Sequence, residues 1–506
     1  MRHAAIAVIG ALVLATLSIV APGAGVPPFG GHSARAASST NDVIANLFEW
    51  NWDSVAAECS NVLGPDGYGA VQVAPPEDSI SLPASGHPWW EVYQPVAYDL
   101  TSRMGSRARF TAMVAACHQA GVKVYADAVI NHMAGENNTV NTSYGGASFD
   151  PASFTYGSAG YGISNFHHPG NDCPTADNQI SDFNNQAQVQ ECELVHLSDL
   201  YTQQDGVRDK IATYLNDLIG LGVDGFRVDA AKHMNQADMA AIEGRLSSTT
   251  LGGAPFIFQE VVPGSSNANL QPAAFEGNGS VLEFTYADDL KSQFQGSIAN
   301  LRTFGSSWGL EPSGKSVVFV ANHDTERNGS TLSYKDGATY SLATEFSLAW
   351  PYGSPQVYAS FNWSGTDQGP PSDSNGVVSA TDCGNGWTCT DRATGVAGIV
   401  GWHNAVAGTS VANWWDDGPN LIAFSRGTAG WIALNNEGGA ATRTFATGLP
   451  AGSYCDLIHG TWSSSSSTCS GPTVTVDAAG NATVTVAAKD AVAIDVNAMG
   501  PGSSHS

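Results

Sequence analysis

Short apolar runs alternate with helical patterns from residue 42 to about residue 360. This alternation predicts parallel βαβ units rather than a meander of antiparallel strands. Eight of the runs have the length and composition of strands, and together they predict a closed (β/α)8 barrel. The predicted strands are 43–48, 69–73, 122–130, 223–228, 256–262, 281–286, 317–321 and 356–361.

Two segments between these runs predict helices. Residues 207–221 place apolar side chains at helical spacing, and Gly222 follows as a stop signal. A similar helix is predicted over 107–120. The stretch 133–200 breaks the rhythm with Gly, Asn, Ser and Tyr and is too long for an ordinary loop. It predicts a lobe inserted after strand 3.

The pattern changes after about residue 405 to short alternating strands, which predict a separate all-β domain. The predicted strands there include 421–426, 431–434, 473–476 and 482–486, and the last two flank a turn that predicts a hairpin. The fold class is therefore α/β, a TIM barrel with an inserted lobe and a C-terminal antiparallel domain. Its predicted parts are the barrel (37–132 and 201–405), the lobe (133–200) and the β domain (406–500).

The first 36 residues have the features of an export signal. Arg2 precedes an apolar run, and Ala34, Arg35 and Ala36 have the A-x-A form of a signal-peptidase site. An uncleaved membrane anchor is the alternative, but no later run of about 18 apolar residues occurs. We expect a signal peptide over 1–36 and a secreted, extracellular protein without a membrane partner.

The charge pattern narrows the class of partner. The formal net charge is −26, although charged residues make up only 13% of the chain. Nucleic acids and anionic membranes would be repelled, whereas neutral sugars would not. Phosphorylated substrates are also disfavoured, because their negative charge would be repelled by a chain of this net charge.

Eight cysteines, an even number in an exported chain, predict disulfides. A zinc site is the competing interpretation, but no Cys-x2-Cys or Cys/His cluster of the usual form occurs. Spacing alone does not select the pairing.

Acidic side chains follow several of the predicted strands. Asp127 ends strand 3, Asp229 follows strand 4, Glu260 follows strand 5 and Asp324 follows strand 7. Taken singly, each is more simply a surface or salt-bridged residue. Together they lie at the edge where active sites of this fold form, and paired carboxylates suit glycoside hydrolysis. Arg227 could keep Asp229 ionised, or it could form an ordinary salt bridge inside the barrel.

Four blocks of sequence carry a family resemblance. They read DAVINH (127–132), GFRVDAAKH (225–233), FQEV (258–261) and FVANHD (319–324). In this order they resemble the four signature regions of the α-amylase family of glycoside hydrolases. The likeness covers about residue 42 to about residue 495 and is greatest to animal-type and actinobacterial members. It implies retaining endo-hydrolysis of α-1,4-glucosidic bonds in starch, glycogen and related α-glucans.

The resemblance also implies a role for each site residue. Asp229 would be the nucleophile, Glu260 the acid and then the base, and Asp324 the stabiliser of the transition state. Aromatic rings can stack on the faces of sugars or simply pack in the core, and Trp89 is consistent with either role. The implied substrate-binding residues are Trp89, Trp90, Tyr93, Gln94, His132, Arg227, Lys232, His233 and His323.

Ions and disulfides follow from the same resemblance. It implies Ca²⁺, held by the side chains of Asn131 and Asp199 and the backbone carbonyls of Gln190 and His233, a set of oxygen ligands that suits this ion. Animal-type members hold a chloride with Arg, Asn and a further basic residue, but the third position is Gln356, which argues against bound chloride. The implied disulfides are Cys59–Cys117, Cys173–Cys192, Cys383–Cys389 and Cys455–Cys469.

The sequence departs from the animal-type pattern after strand 7, where TERNGSTLSYKDG replaces a glycine-rich loop. An exo-hydrolase that releases maltooligosaccharides, or a glucanotransferase, is the alternative on the same scaffold, because members of the family differ mainly in their loops. A carbohydrate-binding protein without activity is a remote alternative, because all three carboxylates are present. We expect a monomer acting on an α-glucan.

Overall fold

The computed structural model describes residues 41–136 and 138–500. The predicted signal peptide over 1–36 lies outside the described residues. Within the described ranges, no helix is both long enough and apolar enough to cross a membrane.

Eight parallel strands form a closed barrel, as the alternating pattern predicts. The strand nearest the N-terminus pairs in parallel with both the second and the eighth strand, which closes the sheet. The strands are β1 (Ile44–Leu47), β2 (Ala70–Val73), β3 (Lys123–Ala128), β4 (Gly225–Val228), β5 (Phe256–Gln259), β6 (Ser280–Glu283), β7 (Ser316–Phe319) and β8 (Ser354–Phe361).

The sixth predicted strand, 281–286, is wrong in its second half. Strand β6 ends at Glu283, and the helix Phe284–Phe294 begins at the next residue. The Glu283 carboxylate accepts a hydrogen bond from the Thr285 backbone N–H at 3.2 Å, which caps this helix. An apolar run alone does not separate a buried strand from the buried face of a helix.

Helices connect the barrel strands. The helix predicted over 207–221 spans Asp205–Leu221, and Gly222 ends it in the left-handed conformation with φ of 108°. The helix predicted over 107–120 spans Arg107–Gln119. The other α-helices are Trp52–Glu58, Gly64–Asp66, Gln186–Glu191, Gln236–Glu243, Thr325–Asn328, Ala338–Ala349 and Thr394–Ala405.

The segment predicted as an inserted lobe contains little regular structure. The strands His132–Gly135 and Leu197–Asp199 form an antiparallel pair, and the Cys173–Cys192 disulfide crosslinks the segment between them. The other three disulfides join Cys59 to Cys117, Cys383 to Cys389 and Cys455 to Cys469. All four pairs therefore match the pairing implied by the resemblance, whereas the domain boundaries stay a prediction.

The C-terminal residues form antiparallel sheets around an apolar cluster of their own. Strands Val411–Asp416, Leu421–Arg426, Gly430–Asn435 and Asp490–Asp495 make one sheet. Smaller sheets pair Ala441–Ala446 with Asn481–Val486, Gly452–Cys455 with Thr473–Val476, and Trp462–Ser463 with Thr468–Cys469.

The predicted hairpin of 473–476 with 482–486 is wrong. A tight turn joins the two strands, but each pairs with a different earlier strand. Val474, Val476 and Val484 are buried in the same apolar cluster, so the chain changes sheets at the turn to bury both strands. Turn chemistry indicates a reversal but does not determine which strand supplies the hydrogen bonds.

Candidate active site

The four acidic residues at predicted strand ends lie at one end of the barrel. Asp127 is in β3, and Asp229 and Glu260 follow β4 and β5 directly. Asp324 follows β7 and precedes the short helix Thr325–Asn328. Parallel strands bring their carboxyl ends to the same edge, so residues distant in sequence converge there.

Arg227 bridges three of these carboxylates. Its Nη1 lies 2.8 Å from Asp127 Oδ1 and 2.7 Å from Asp229 Oδ1, and its Nη2 lies 3.1 Å from Glu260 Oε2. The guanidinium is 1% exposed, so these contacts are shielded from water. One guanidinium thus holds Asp229 and Glu260 near each other, whereas an ordinary salt bridge would join it to a single carboxylate.

A strained turn places a hydrogen-bond donor beside Glu260. Ala230, next to Asp229, has φ of 48°, which a non-glycine residue rarely adopts. Its backbone N–H donates to Glu260 Oε2 at 2.9 Å. Strain of this kind concentrates at functional sites, where surrounding contacts hold it in place.

The cluster retains protons near neutral pH. Burial, followed by the charge of Asp229, raises the pKa of Glu260. Burial, followed by repulsion from Glu260 and Asp229, raises the pKa of Asp324 to about 7. Crowded, buried carboxylates repel one another when ionised, so burial and crowding both favour a bound proton on Glu260 and Asp324.

Two neutral imidazoles flank the carboxylates. His323 Nε2 lies 3.3 Å from Asp324 Oδ2, and the ring stacks on Tyr93 with centroids 5.1 Å apart. His132 contacts the Tyr93 carbonyl through Nε2 at 3.1 Å. Burial lowers the pKa of both histidines, so each ring is an uncharged hydrogen-bonding group.

The aromatic residues predicted to contact sugar form one wall. Trp89 and Trp90 are half-buried, whereas Tyr93 is buried and its hydroxyl donates to Asp127 Oδ2 at 2.9 Å. Trp89 also packs edge-on against His323, 5.3 Å between centroids. Gln94 differs from the others, because its Oε1 accepts hydrogen bonds from the Gly135 N–H at 3.1 Å and the Asn138 amide at 2.6 Å.

Lys232 and His233 follow Asp229 in a short 3₁₀ turn. Lys232 Nζ donates to the Val262 carbonyl at 2.9 Å, which places the ammonium beside the strand end that carries Glu260. His233 Nδ1 lies 2.9 Å from the Val189 carbonyl, and burial lowers the pKa of this histidine to about 4.

Family models match two parts of the chain. The α-amylase catalytic domain matches residues 94–251, and the α-amylase C-terminal all-β domain matches residues 412–497. An α-amylase from Streptomyces violaceus is 48% identical over 495 residues, covering 97% of this chain and 80% of that protein. The chain belongs to the α-amylase family.

Other relatives extend this α-amylase likeness beyond actinobacteria. An α-amylase from Tenebrio molitor is 42% identical over 484 residues, covering 92% of this chain and 99% of the insect protein. The crystal structure of α-amylase I from Eisenia fetida superimposes with a TM-score of 0.86 at 37% identity, covering 91% of this chain and 98% of that one. This chain is accordingly a glycoside hydrolase.

The residues implied for calcium offer oxygen ligands. Asp199 is fully buried and accepts a hydrogen bond from the Asn131 amide at 3.1 Å. Gln190 lies in the last turn of Gln186–Glu191, where backbone carbonyls lack helical partners. The His233 ring contacts the carbonyl of the residue before Gln190, which joins the two backbone segments. Carboxylate, carboxamide and carbonyl oxygens fit a hard cation.

The three positions implied for chloride differ in charge and in hydrogen bonding. Arg227 Nη2 and Asn322 Nδ2 are buried without a hydrogen-bond partner among the described residues, although Arg227 Nη2 contacts Glu260. Gln356 supplies no positive charge. Its amide donates to Gln72 Oε1 at 2.7 Å, and its Oε1 accepts from Asn46 at 3.3 Å.

Sequence reasoning missed two charged residues beside the α-amylase site. Arg327 Nη1 donates to the His323 carbonyl at 2.8 Å, and the guanidinium packs 5.3 Å from the centre of the Trp89 ring. Glu49 follows β1, is fully buried, and both of its carboxylate oxygens lack a hydrogen-bond partner in the described part of the chain. Burial raises the pKa of Glu49 to about 8. The sequence signal for Glu49 was its position after strand 1, whereas no sequence signal placed Arg327 beside the site.

Proposed function

We propose that this chain hydrolyses internal α-1,4-glucosidic bonds of starch, glycogen and related α-glucans with retention of configuration. The observation that carries the proposal is the cluster of Asp229, Glu260 and Asp324 around Arg227 at the barrel mouth. The Eisenia fetida relative supports the substrate class, because one of its structures is a mutant in complex with maltohexaose.

In the first step Asp229 Oδ attacks the anomeric carbon while Glu260 donates its proton to the departing glycosidic oxygen. A covalent glycosyl-enzyme forms, and the leaving chain departs with a new hydroxyl. Arg227 Nη1 lies 2.7 Å from Asp229 Oδ1 and holds this carboxylate in place, whereas burial raises the pKa of Glu260 and so favours its protonated form.

In the second step Glu260, now ionised, takes a proton from water as the oxygen of that water attacks the anomeric carbon. The bond to Asp229 breaks, and a second inversion restores the original configuration. Asp324 and the neutral rings of His132 and His323 are proposed to hydrogen-bond the hydroxyls of the distorted sugar. Trp89, Trp90 and Tyr93 are proposed to pack against sugar faces.

Product analysis tests this function. With soluble starch and reduced maltohexaose we expect early products of several lengths in the α-configuration, measured by time-resolved chromatography and proton NMR. A single short product from chain ends would indicate an exo-hydrolase instead. Products longer than the substrate would indicate a glucanotransferase.

We also propose that Asn131, Asp199 and the carbonyls of Gln190 and His233 hold Ca²⁺ in this chain. When bound, the ion would join the inserted lobe to the barrel beside Lys232 and shape the cleft. Family membership supports the ion, and the buried oxygen set described above supports its position.

Chloride is expected to have little effect on activity. A neutral amide at Gln356 leaves any anion beside Arg227 with one fewer positive partner. Titration from zero to 100 mM sodium chloride at constant ionic strength should change kcat by less than about twofold. Nitrate and sulfate serve as controls. A severalfold rise specific to chloride would contradict this expectation.

We propose secretion as well. The chain has four disulfides, and disulfides form and persist in oxidising compartments. The monomeric state stays a prediction.

A further inference from the structure

The inserted lobe carries a group of metal-ligating side chains away from the catalytic carboxylates. Glu136, Glu193 and His196 bring one ligand atom each to within 4.8 Å of one another. From this group we infer a second metal site, which would take a divalent ion of the zinc class through Glu136, Glu193 and His196. These residues are called the lobe cluster below.

The backbone holds the lobe cluster in place. Glu136 directly follows the strand His132–Gly135, His196 directly precedes Leu197–Asp199, and the Glu136 N–H donates to the His196 carbonyl at 3.3 Å. Glu193 follows Cys192 of the lobe disulfide. Glu136 and His196 thus lie at the same end of the strand pair, and Glu193 comes from the crosslinked segment.

One side chain organises two of the ligands. The Gln179 amide donates to Glu193 Oε2 at 2.7 Å, and its Oε1 accepts from the His196 backbone N–H at 2.9 Å. His196 has φ of 68°, and its neighbour Val195 has φ of 45°. Two successive left-handed residues are costly without glycine, and here they turn the imidazole toward the carboxylates.

The lobe cluster lacks positive charge. Glu193 is only 5% exposed, and among the described residues no lysine or arginine forms an ion pair with Glu136 or Glu193. A buried carboxylate with a second carboxylate beside it and no cation is unfavourable, and here Glu193 is the buried member of the pair.

Two polar atoms in or beside the lobe cluster have no hydrogen-bond partner among the described residues. His196 Nδ1 is shielded from water, lies 3.5 Å from Glu136 Oε1, and has no hydrogen-bond partner within the described ranges. Asn178 is 7% exposed, its carbonyl accepts a hydrogen bond from the Glu193 N–H at 2.7 Å, and its Oδ1 lacks a hydrogen-bond partner among the described residues. A bound cation would satisfy the histidine nitrogen and both carboxylates together.

The ligand chemistry separates this site from the proposed calcium site. Calcium takes oxygen ligands, whereas one imidazole with two carboxylates suits zinc, with water completing four ligands. His196 lies three residues before Asp199, so the two ions would brace opposite ends of the same short strand. The inferred role is to stabilise the lobe rather than to take part in hydrolysis.

Zinc binding to the calcium-saturated full-length mature enzyme tests the inference. By titration calorimetry, the unaltered enzyme should bind one Zn²⁺. His196→Ala should weaken that binding by about 100-fold and Glu136→Gln by about 10-fold or more, because each loses a direct ligand. His168→Ala, which removes another histidine of the lobe, is the matched control and should bind zinc like the unaltered enzyme.

Thermal melting gives a second readout. Zinc should raise Tm by roughly 2–5 °C in the unaltered enzyme and the control, and not in His196→Ala. Calcium should stabilise all variants equally, which keeps this test independent of the calcium proposal. Glu136→Gln changes a half-exposed side chain, so its fold should persist if that of His196→Ala does not.

Three outcomes would overturn the site. These are no zinc binding by the unaltered enzyme, equal zinc affinity after His196→Ala, or zinc binding that maltohexaose displaces. The last would assign the ion to the catalytic carboxylates.

Discussion

Asp229→Asn is expected to lower kcat on soluble starch by roughly 10⁴-fold or more, and Glu260→Gln by roughly 10³-fold. The first variant removes the atom that bonds to the anomeric carbon, because an amide oxygen beside Arg227 is a poor nucleophile. The second removes the proton that the leaving oxygen requires. Initial rates of reducing-end release, measured at matched protein concentration, quantify both effects.

Folding must be checked separately from chemistry. Both variants should keep their Tm within a few degrees. Losing one charge from several crowded carboxylates relieves the repulsion among the carboxylates that surround Arg227. The control is Asp477→Asn, an exposed carboxylate of a turn in the C-terminal β region, which should hydrolyse starch normally. Near-normal turnover by a folded Asp229→Asn variant would remove this residue from the nucleophile role.

Chelation of calcium is expected to lower activity and Tm together. A site filled at 1,000 times its Kd contributes about 4 kcal/mol, so its loss should lower Tm by roughly 4 °C in a chain of this length, where melting entropy is about 1 kcal/mol/K. EGTA should produce this change, and added calcium should reverse it. Asp199→Asn should reproduce the loss and respond weakly to added calcium, because it lacks the buried carboxylate.

A matched lobe variant completes this test. Asp150→Asn alters an exposed carboxylate of the same lobe and should respond to EGTA as the unaltered enzyme does. Unchanged melting and unchanged hydrolysis in EGTA would argue against the calcium site. Recovery with zinc but not with calcium would move the stabilising ion to the lobe cluster.

The convergence of the proposed catalytic carboxylates was predictable because its signals are local. Asp229 and Glu260 each follow an apolar strand directly, and parallel strands must present their ends at one edge. A reader of the sequence needs only the strand positions to bring them together. Glu49 follows β1 in the same manner and could have been recognised by the same rule.

Other features depended on partners distant in the chain. Arg327 reaches the aromatic wall only because the short helix after β7 turns it toward Trp89. The strand Thr473–Val476 pairs with Gly452–Cys455 rather than with the strand after its turn. Local sequence favours a turn, but the choice of partner depends on which apolar faces can be buried together.

The sequence by itself determined the barrel, the family and the strand ends that carry the proposed catalytic residues, because strand periodicity and strand-end chemistry are local properties of the chain. Only the tertiary structure decided that Arg227 bridges three carboxylates, and that Glu136, Glu193 and His196 meet without a positive partner. The physical reason is that charge interactions depend on distance and burial. Both arise only when segments far apart in sequence pack together.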